Sequence, residues 1–412
     1  MDANTVNNAI LVTRDNAKRV SKGLPILARA TINALLHLKY GALTVVWPNG
    51  DITRIEGELP GADACIELKS LDLAKRVLSS GDVGVAESFM DGEWQSPDVT
   101  AVLLLFCQNT HLGIARQRAF FTRLVLAYFR WRNTNTKRGS KRNIAAHYDL
   151  GNDFYSRWLD PSMTYSSAIF EEKTMSLEEA QRAKYASLAR LLDLKPSHNV
   201  LEIGCGWGGF AEYAASEIKC RVTGLTISRE QLDYAKKRVF EAGLNDKVDI
   251  VFRDYREETG VYDRIASIEM FEAVGEKYWP TYFDTVRDRL NPGGAAGLQI
   301  ITIKDDLFEA YRSTTDFIQR YIFPGGMLPT PTILGKLTSA RGLTLAEERI
   351  FGHDYADTLV AWRDRFHRAW PEIVPFGFDE RFKRMWEFYM HYCEAGFRSE
   401  NIDVRQMIFA RS

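Results

Sequence analysis

The 412-residue chain is poor in cysteine: it has five, and each stands alone (Cys65, Cys107, Cys205, Cys220, Cys393). No CxxC pair occurs, which excludes the common thiolate zinc motifs. An odd, scattered set points to reduced thiols in a cytosolic compartment rather than a disulfide framework. An excess of one charge is also lacking, since 53 basic residues face 54 acidic ones for a net of -1. Any attraction to nucleic acid or anionic lipid therefore has to be local. Long apolar runs are missing; the best, AVLLLF at 101–106, falls far short of the roughly 18 residues of a membrane span. The opening MDANTVNNAILVTRDNAKRV has no charged region ahead of a long apolar core, so no secretory signal is expected. A Walker-type Gly-Lys-Ser/Thr loop is absent, which argues against nucleotide hydrolysis. These absences describe a soluble chain that meets a membrane only from its surface.

What is present is ordinary for a globular chain, 45% hydrophobic and 26% charged. At about 100–200 residues per domain, the length suggests two domains. We expect an accessory α+β domain over 1–112, a basic amphipathic linker helix over 113–142 and a catalytic domain over 143–412. In the first, 26–38 carries apolar positions at helical spacing, and two strands flank the turn Pro48-Asn49-Gly50-Asp51. Helical text follows at 69–80 and 99–108, separated by GDVGVAESFMDGEWQSPD, and no catalytic constellation is visible. Residues 114–142 interleave Arg116, Arg118, Arg123, Arg130, Arg132, Lys137, Arg138, Lys141 and Arg142 with Phe120, Phe121, Leu124, Tyr128, Phe129 and Trp131, without one acidic residue. Such a helix suits an anionic membrane surface, where each basic residue contributes about 1 kcal/mol. It equally suits a linker packing its apolar face on the next domain. No nucleic-acid motif accompanies it.

From 143 onward an amphipathic helix over Ser176–Leu192 precedes the β-rich segments HNVLEIG, RVTGLTIS, VDIVFRD, YDRIASIE and GGAAGLQIITI, with helical text between them. Alternation of this kind implies an α/β domain with a mostly parallel, doubly wound sheet. The sharpest signal is Val200-Leu201-Glu202-Ile203-Gly204-Cys205-Gly206-Trp207-Gly208-Gly209, an apolar strand running into a glycine-rich turn with a helix (Phe210–Ile218) starting at once. Ligands of open α/β sheets sit beyond the carboxyl ends of the strands. The GxGxGG spacing, with Glu202 two residues ahead of the first glycine, resembles motif I of class I S-adenosylmethionine (SAM) methyltransferases, whose fold is Rossmann-like. That resemblance implies cofactor contacts from Gly204, Gly206 and Gly208, ribose contacts from Thr226 and Gln231, adenine recognition by Asp254 and Tyr255, and a place for Ile268 at the fourth strand end.

Four longer segments then match in order: His147-Tyr148-Asp149-Leu150-Gly151-Asn152-Asp153-Phe154-Tyr155, Tyr165-Ser166-Ser167, Phe271-Glu272-Ala273-Val274-Gly275, and Tyr321-Ile322-Phe323-Pro324-Gly325-Gly326. Together they resemble the cyclopropane-fatty-acyl-phospholipid synthases, relatives of the mycolic-acid methyltransferases, over about 140–410. The resemblance implies a peripheral enzyme on the cytoplasmic face of the membrane, with a homodimer as the assembly, that methylates the cis double bond of an unsaturated phospholipid acyl chain. An alkene has no proton for a base to remove first, so the protein must align it with the sulfonium and stabilise the carbocation. Aromatic faces do this by cation–π attraction, and Tyr165, Trp207, Phe271, Tyr321, Phe323 and Tyr355 stand at motif positions. In the family a bound bicarbonate then removes a proton. Carried over by position, its ligands are Glu272, the Ile301 N–H and Tyr355, with Tyr165 and Ser166 on the cofactor side. Two ligand positions depart from the pattern, the usual cysteine being Ser167 and the usual histidine Gln299; a further histidine after the motif glutamate is Ala273. A neutral Gln299 holds an anion less tightly than a charged histidine. Two products stay open: a cyclopropane, or a methyl-branched unsaturated chain if the proton leaves from a neighbouring chain carbon. A small-amine N-methyltransferase and a non-catalytic lipid-binding protein are remoter readings.

Overall fold

Strand β6 (Asn199–Ile203) is buried along nearly its whole length, as the apolar run before the glycine turn predicts, and the larger sheet is built around it. The computed structural model describes residues 9–112, 135–136 and 150–411. The basic segment 114–142, apart from residues 135 and 136, and His147–Asp149 lie outside the described residues. The described chain divides into two compact units, one of the N-terminal region with Gly377–Asn401, the other running to Phe376 and resuming at Ile402.

The N-terminal unit holds a five-stranded sheet of β1 (Ile10–Leu11), β2 (Tyr40–Val46), β3 (Ile52–Glu56), β4 (Leu59–Leu68) and β5 (Trp94–Gln95), in the order β1-β3-β2-β4-β5. The expected hairpin is present, with β2 antiparallel to β3 across the Asn49-Gly50 turn, where Gly50 adopts φ +88. Helices α1 (Ile26–Leu35), α2 (Asp72–Ser80), α3 (Asp82–Met90) and α4 (Val99–Gln108) accompany it. Helix α3 falls within the stretch that the sequence presents only as a separator. The unit also takes in the distant helix Glu380–Arg398, which the expected 143–412 domain includes. Its apolar stripe buries Trp386, Phe388, Tyr389 and Met390, Phe388 lies 5.6 Å from the Phe89 ring, and the buried Thr100 hydroxyl donates to Glu394 at 2.8 Å. Local sequence cannot show which sheet a long amphipathic helix covers.

In the second unit, seven strands run in the order β11-β12-β10-β9-β6-β7-β8. The strands are β7 (Arg221–Thr226), β8 (Val248–Phe252), β9 (Tyr262–Ile268), β10 (Leu290–Ile303), β11 (Leu343–Ile350) and β12 (Ile402–Arg411). From β8 through β10 neighbours are parallel; β12 pairs antiparallel with both β10 and β11. The direction of winding reverses between β6 and β9, and such a switch point opens a crevice at the carboxyl ends of the strands. Helices cover both faces. On one, α5 (Leu177–Leu191) and α6 (Gly209–Tyr213) with α7 (Arg229–Glu241) bury Leu188, Phe210 and Ala235 against β6 and β7. On the other, α8 (Trp279–Arg289) packs Trp279, Tyr282 and Phe283 onto β9 and β10. The expected 176–192 helix is α5, opened by a capping box of Ser176 and Glu179, a device worth about 1 kcal/mol. The expected helix after the glycine loop is present, but its second half, Ala214–Ile218, is a π-type turn.

Candidate active site

The glycine loop leaves β6 through three left-handed positions, Gly204 (φ +80), Gly206 (φ +53) and Gly208 (φ +83), which side-chain-bearing residues rarely adopt. A β-carbon on Gly204 would meet the Met270 side chain at 2.6 Å, whereas one on Gly206 would meet nothing within 4 Å. The loop is thus packed at its root and open over the crevice. Trp207 donates its indole N–H to Asn152 at 2.6 Å, tying the start of the helix Asn152–Trp158 to the glycine loop. Buried Glu202 is pushed up to about 8 by desolvation and accepts a bond from the Ala211 N–H.

At the next strand end the Thr226 hydroxyl donates to Gln231 at 3.0 Å and accepts from the Ser228 N–H, while Ser228 caps α7. Thr226 therefore braces Gln231. At the end of β8, Asp254 takes the Arg256 guanidinium on both carboxylate oxygens, at 2.8 and 2.6 Å, and Tyr255 packs edge-on against Tyr282. Ile268 closes β9 in a half-buried position. These residues all stand at the carboxyl edge of consecutive parallel strands, as the cofactor reading expects.

The bicarbonate reading meets a different outcome. The Ser167 N–H, the Gln299 side-chain amide and the Tyr355 hydroxyl do converge, but on a carboxylate of the chain itself. Ser167 N–H donates to Glu269 Oε1 at 2.8 Å, Gln299 Nε2 to the same oxygen at 2.7 Å, and Tyr355 O–H to Glu269 Oε2 at 2.7 Å. The fourth expected donor, the Ile301 N–H, binds Glu272 Oε1 at 2.5 Å. The donors assigned to an external anion are already spent, so bicarbonate does not fit this arrangement. The Ser167 hydroxyl donates instead to the Ala168 carbonyl. The sequence reading assigns no role to Glu269. Its signal is an acidic residue in the tight turn after β9, where φ is +49, beside an expected cysteine and histidine that are missing.

The shell around this pocket comes from four elements. Tyr355 stands in the first turns of the helix Gly352–Ile373, and Thr358 and Asp354 of the same helix fix the chain just after Tyr165–Ser167 by accepting from the Ala168 and Phe170 N–H groups. Strand β10 supplies Gln299, whose Oε1 accepts from Gln406 directly opposite on β12. The Glu269 N–H donates to the Gln299 carbonyl at 2.8 Å. Behind them the buried Lys184 of α5 donates to the Ser166 hydroxyl at 2.6 Å. Desolvation lowers Lys184 to about 8, opposed by Glu269, Asp160 and Glu202. Burial raises Glu269, while Tyr355, Ser167, Gln299 and Lys184 pull it back. Glu272 is pushed up to about 8 by burial and then by the charge of Glu269. Two carboxylates three residues apart thus divide into a better-supported anion and a proton holder.

Aromatic rings pack in a chain beside these residues. Tyr165 lies 5.1 Å from Trp362, 5.5 Å from Tyr155 and 6.4 Å from Phe323, centroid to centroid. Trp207 reaches Tyr155 at 5.3 Å, and Tyr355 reaches Trp362 at 6.1 Å. The wall is therefore continuous from the glycine loop to the carboxylates. Tyr155, Trp158 and Trp362, absent from the expected set, belong to it. Phe271 does not: it is buried in the core against Trp279, Tyr282 and Phe283, because the turn after β9 directs it beneath the sheet. Tyr321 packs on Phe317 in the π-type turn Ile318–Ile322, and the following loop returns to Glu272, whose carbonyl accepts from the Met327 N–H at 2.9 Å.

Known proteins similar to this chain share one family description. The family profile for mycolic acid cyclopropane synthetase matches residues 135–407. The cyclopropane-fatty-acyl-phospholipid synthase of Escherichia coli (strain K12) is 40% identical over 353 residues, covering 85% of this chain and 88% of that protein. A tuberculostearic acid methyltransferase of Mycobacterium tuberculosis is 38% identical over 349 residues, 82% of this chain and 81% of the relative. Among solved structures, a mycolic acid cyclopropane synthase complexed with SAH and CTAB superposes with a TM-score of 0.63 at 30% identity, over 66% of this chain and 98% of that one. The chain belongs to the mycolic acid cyclopropane synthetase family and is a SAM-dependent methyltransferase.

Proposed function

We propose that the enzyme transfers a one-carbon unit from SAM to the cis double bond of an unsaturated phospholipid acyl chain and closes a cyclopropane ring. SAM supplies the methyl group on a sulfonium. Gly204, Gly206 and Gly208 hold the cofactor, with Thr226, Gln231, Asp254, Tyr255 and Ile268 along the strand ends and Tyr165 and Ser166 completing the cofactor set. The observation that carries the reading is the aromatic wall of Tyr165, Trp362 and Tyr355 running into the Glu269–Glu272 pocket. Desolvated aromatic faces stabilise a cation by roughly 2 kcal/mol or more, and a buried carboxylate beside them can take the proton that the cation must lose.

A methyl-branched unsaturated chain is the second reading, favoured by the departures at Ser167 and Gln299. The relative at 38% identity is named a tuberculostearic acid methyltransferase, not a cyclopropane synthase. Docking on an anionic membrane surface through the arginines of 116–132 completes the proposal. Incubation with SAM and unsaturated phospholipid vesicles is the test: S-adenosylhomocysteine should accumulate and the acyl chains should gain one carbon. Turnover with small amines alone would overturn the lipid reading, and turnover with neither would favour a binding protein.

A further inference from the structure

Of the five positions that the family resemblance assigns to bicarbonate, two depart in residue type, and three are bonded to one side chain of the protein itself. We propose that Glu269 is the base of the reaction, a tethered carboxylate standing where the family uses a bound anion. This rests on the lipid C-methylation reading above.

The geometry supports the substitution at each contact. Both Glu269 oxygens receive donors, from Ser167, Gln299 and Tyr355, and the backbone of the same residue is locked to Gln299 through its N–H. Holding a glutamate at φ +49 is a strain that structures retain chiefly where function uses it. The neutral Gln299 now has a reason. A dissolved anion must be captured, and a charged donor helps to capture it; a carboxylate fixed to the chain is always present and needs only orientation. Neutral donors also hold a carboxylate less firmly than charged ones, which leaves it a better proton acceptor. Lys184 sits behind the pocket bonded to Ser166, so it balances charge without seizing the carboxylate.

The step balances as follows. The π pair of the olefin forms a bond to the sulfonium methyl, and the carbon–sulfur pair departs on sulfur as S-adenosylhomocysteine. The second olefinic carbon is left cationic. Glu269 takes a proton from the new methyl, whose carbon–hydrogen pair closes the ring; taken from the neighbouring chain carbon, the same pair restores a double bond. The proton passes from Glu269 to water when product leaves.

The test uses the full-length chain, SAM and unsaturated phospholipid vesicles, in buffer freed of carbon dioxide and again with added bicarbonate. Wild-type turnover should be the same in both. Glu269→Gln should lose about 100-fold or more in turnover, the scale of general-base catalysis, while calorimetry shows SAM still bound. Glu269→Gly, which opens the anion space, should regain activity in proportion to added bicarbonate, a response that a purely structural role would not give. Wild-type turnover that requires bicarbonate, or Glu269→Gln that retains it, would overturn the assignment while leaving the lipid reading intact. Wild-type protein inactive on lipid in both buffers would remove the reading and this role together.

Discussion

Glu269 and Glu272 share a turn and differ in their surroundings: the first receives three side-chain and backbone donors, while Glu272 Oε2 is buried without a hydrogen-bond partner. Glu272 therefore keeps its proton to about pH 8, against 4.5 for an ordinary glutamate. The sign follows directly. Between those values the folded chain holds a proton that the unfolded chain has released, so Glu272 lowers stability progressively as pH rises from 4.5 to 8 and adds no penalty below 4.5. Glu272→Gln should flatten the fall in denaturation midpoint across pH 5–8, and an unchanged slope would refute the assigned protonation. Glu202, raised in the same sense, remains in the variant and keeps part of the slope. At this scale the motifs made Glu272, Tyr355, Gln299 and Ile301 legible. Glu269 stayed hidden, because an acidic side chain in a strand-end turn reads as solvated until its donors are seen.

Among elements, the parallel strands and α5 were legible because each is a short buried run or a capped amphipathic stretch. Strands β11 and β12 were not, since antiparallel return to β10 from a distant part of the chain leaves no local signature. Helix α3 was obscured by Gly84. That glycine is required by packing: a β-carbon there would lie 2.2 Å from the Arg76 carbonyl oxygen of α2. Gly84→Ala should therefore destabilise the N-terminal unit, by about 1–3 kcal/mol for an overpacked contact, despite alanine's higher helix propensity. Chemical denaturation measures this, and a stabilised variant would contradict the close approach.

For the whole molecule, no helix among the described residues is long and apolar enough to cross a membrane, and the proposed access to an acyl chain rests on surface attraction. The basic stretch 114–142 supplies the charge for it in sequence. Binding to anionic vesicles should weaken steeply as salt rises, because surface attraction is screened beyond about 8 Å at physiological ionic strength; salt-independent binding would reduce the segment to a linker. The division into domains was only partly legible, since the helix Glu380–Arg398 joins the N-terminal unit from deep within the other domain's sequence. The most direct measurement is mass spectrometry of phospholipid acyl chains after reaction with SAM carrying a trideuterated methyl group. Ring closure by loss of a methyl proton predicts a new carbon bearing two deuteriums. Three deuteriums would contradict the ring and establish the branched product, and consumption of SAM with no label in the acyl chain would contradict the account at its centre.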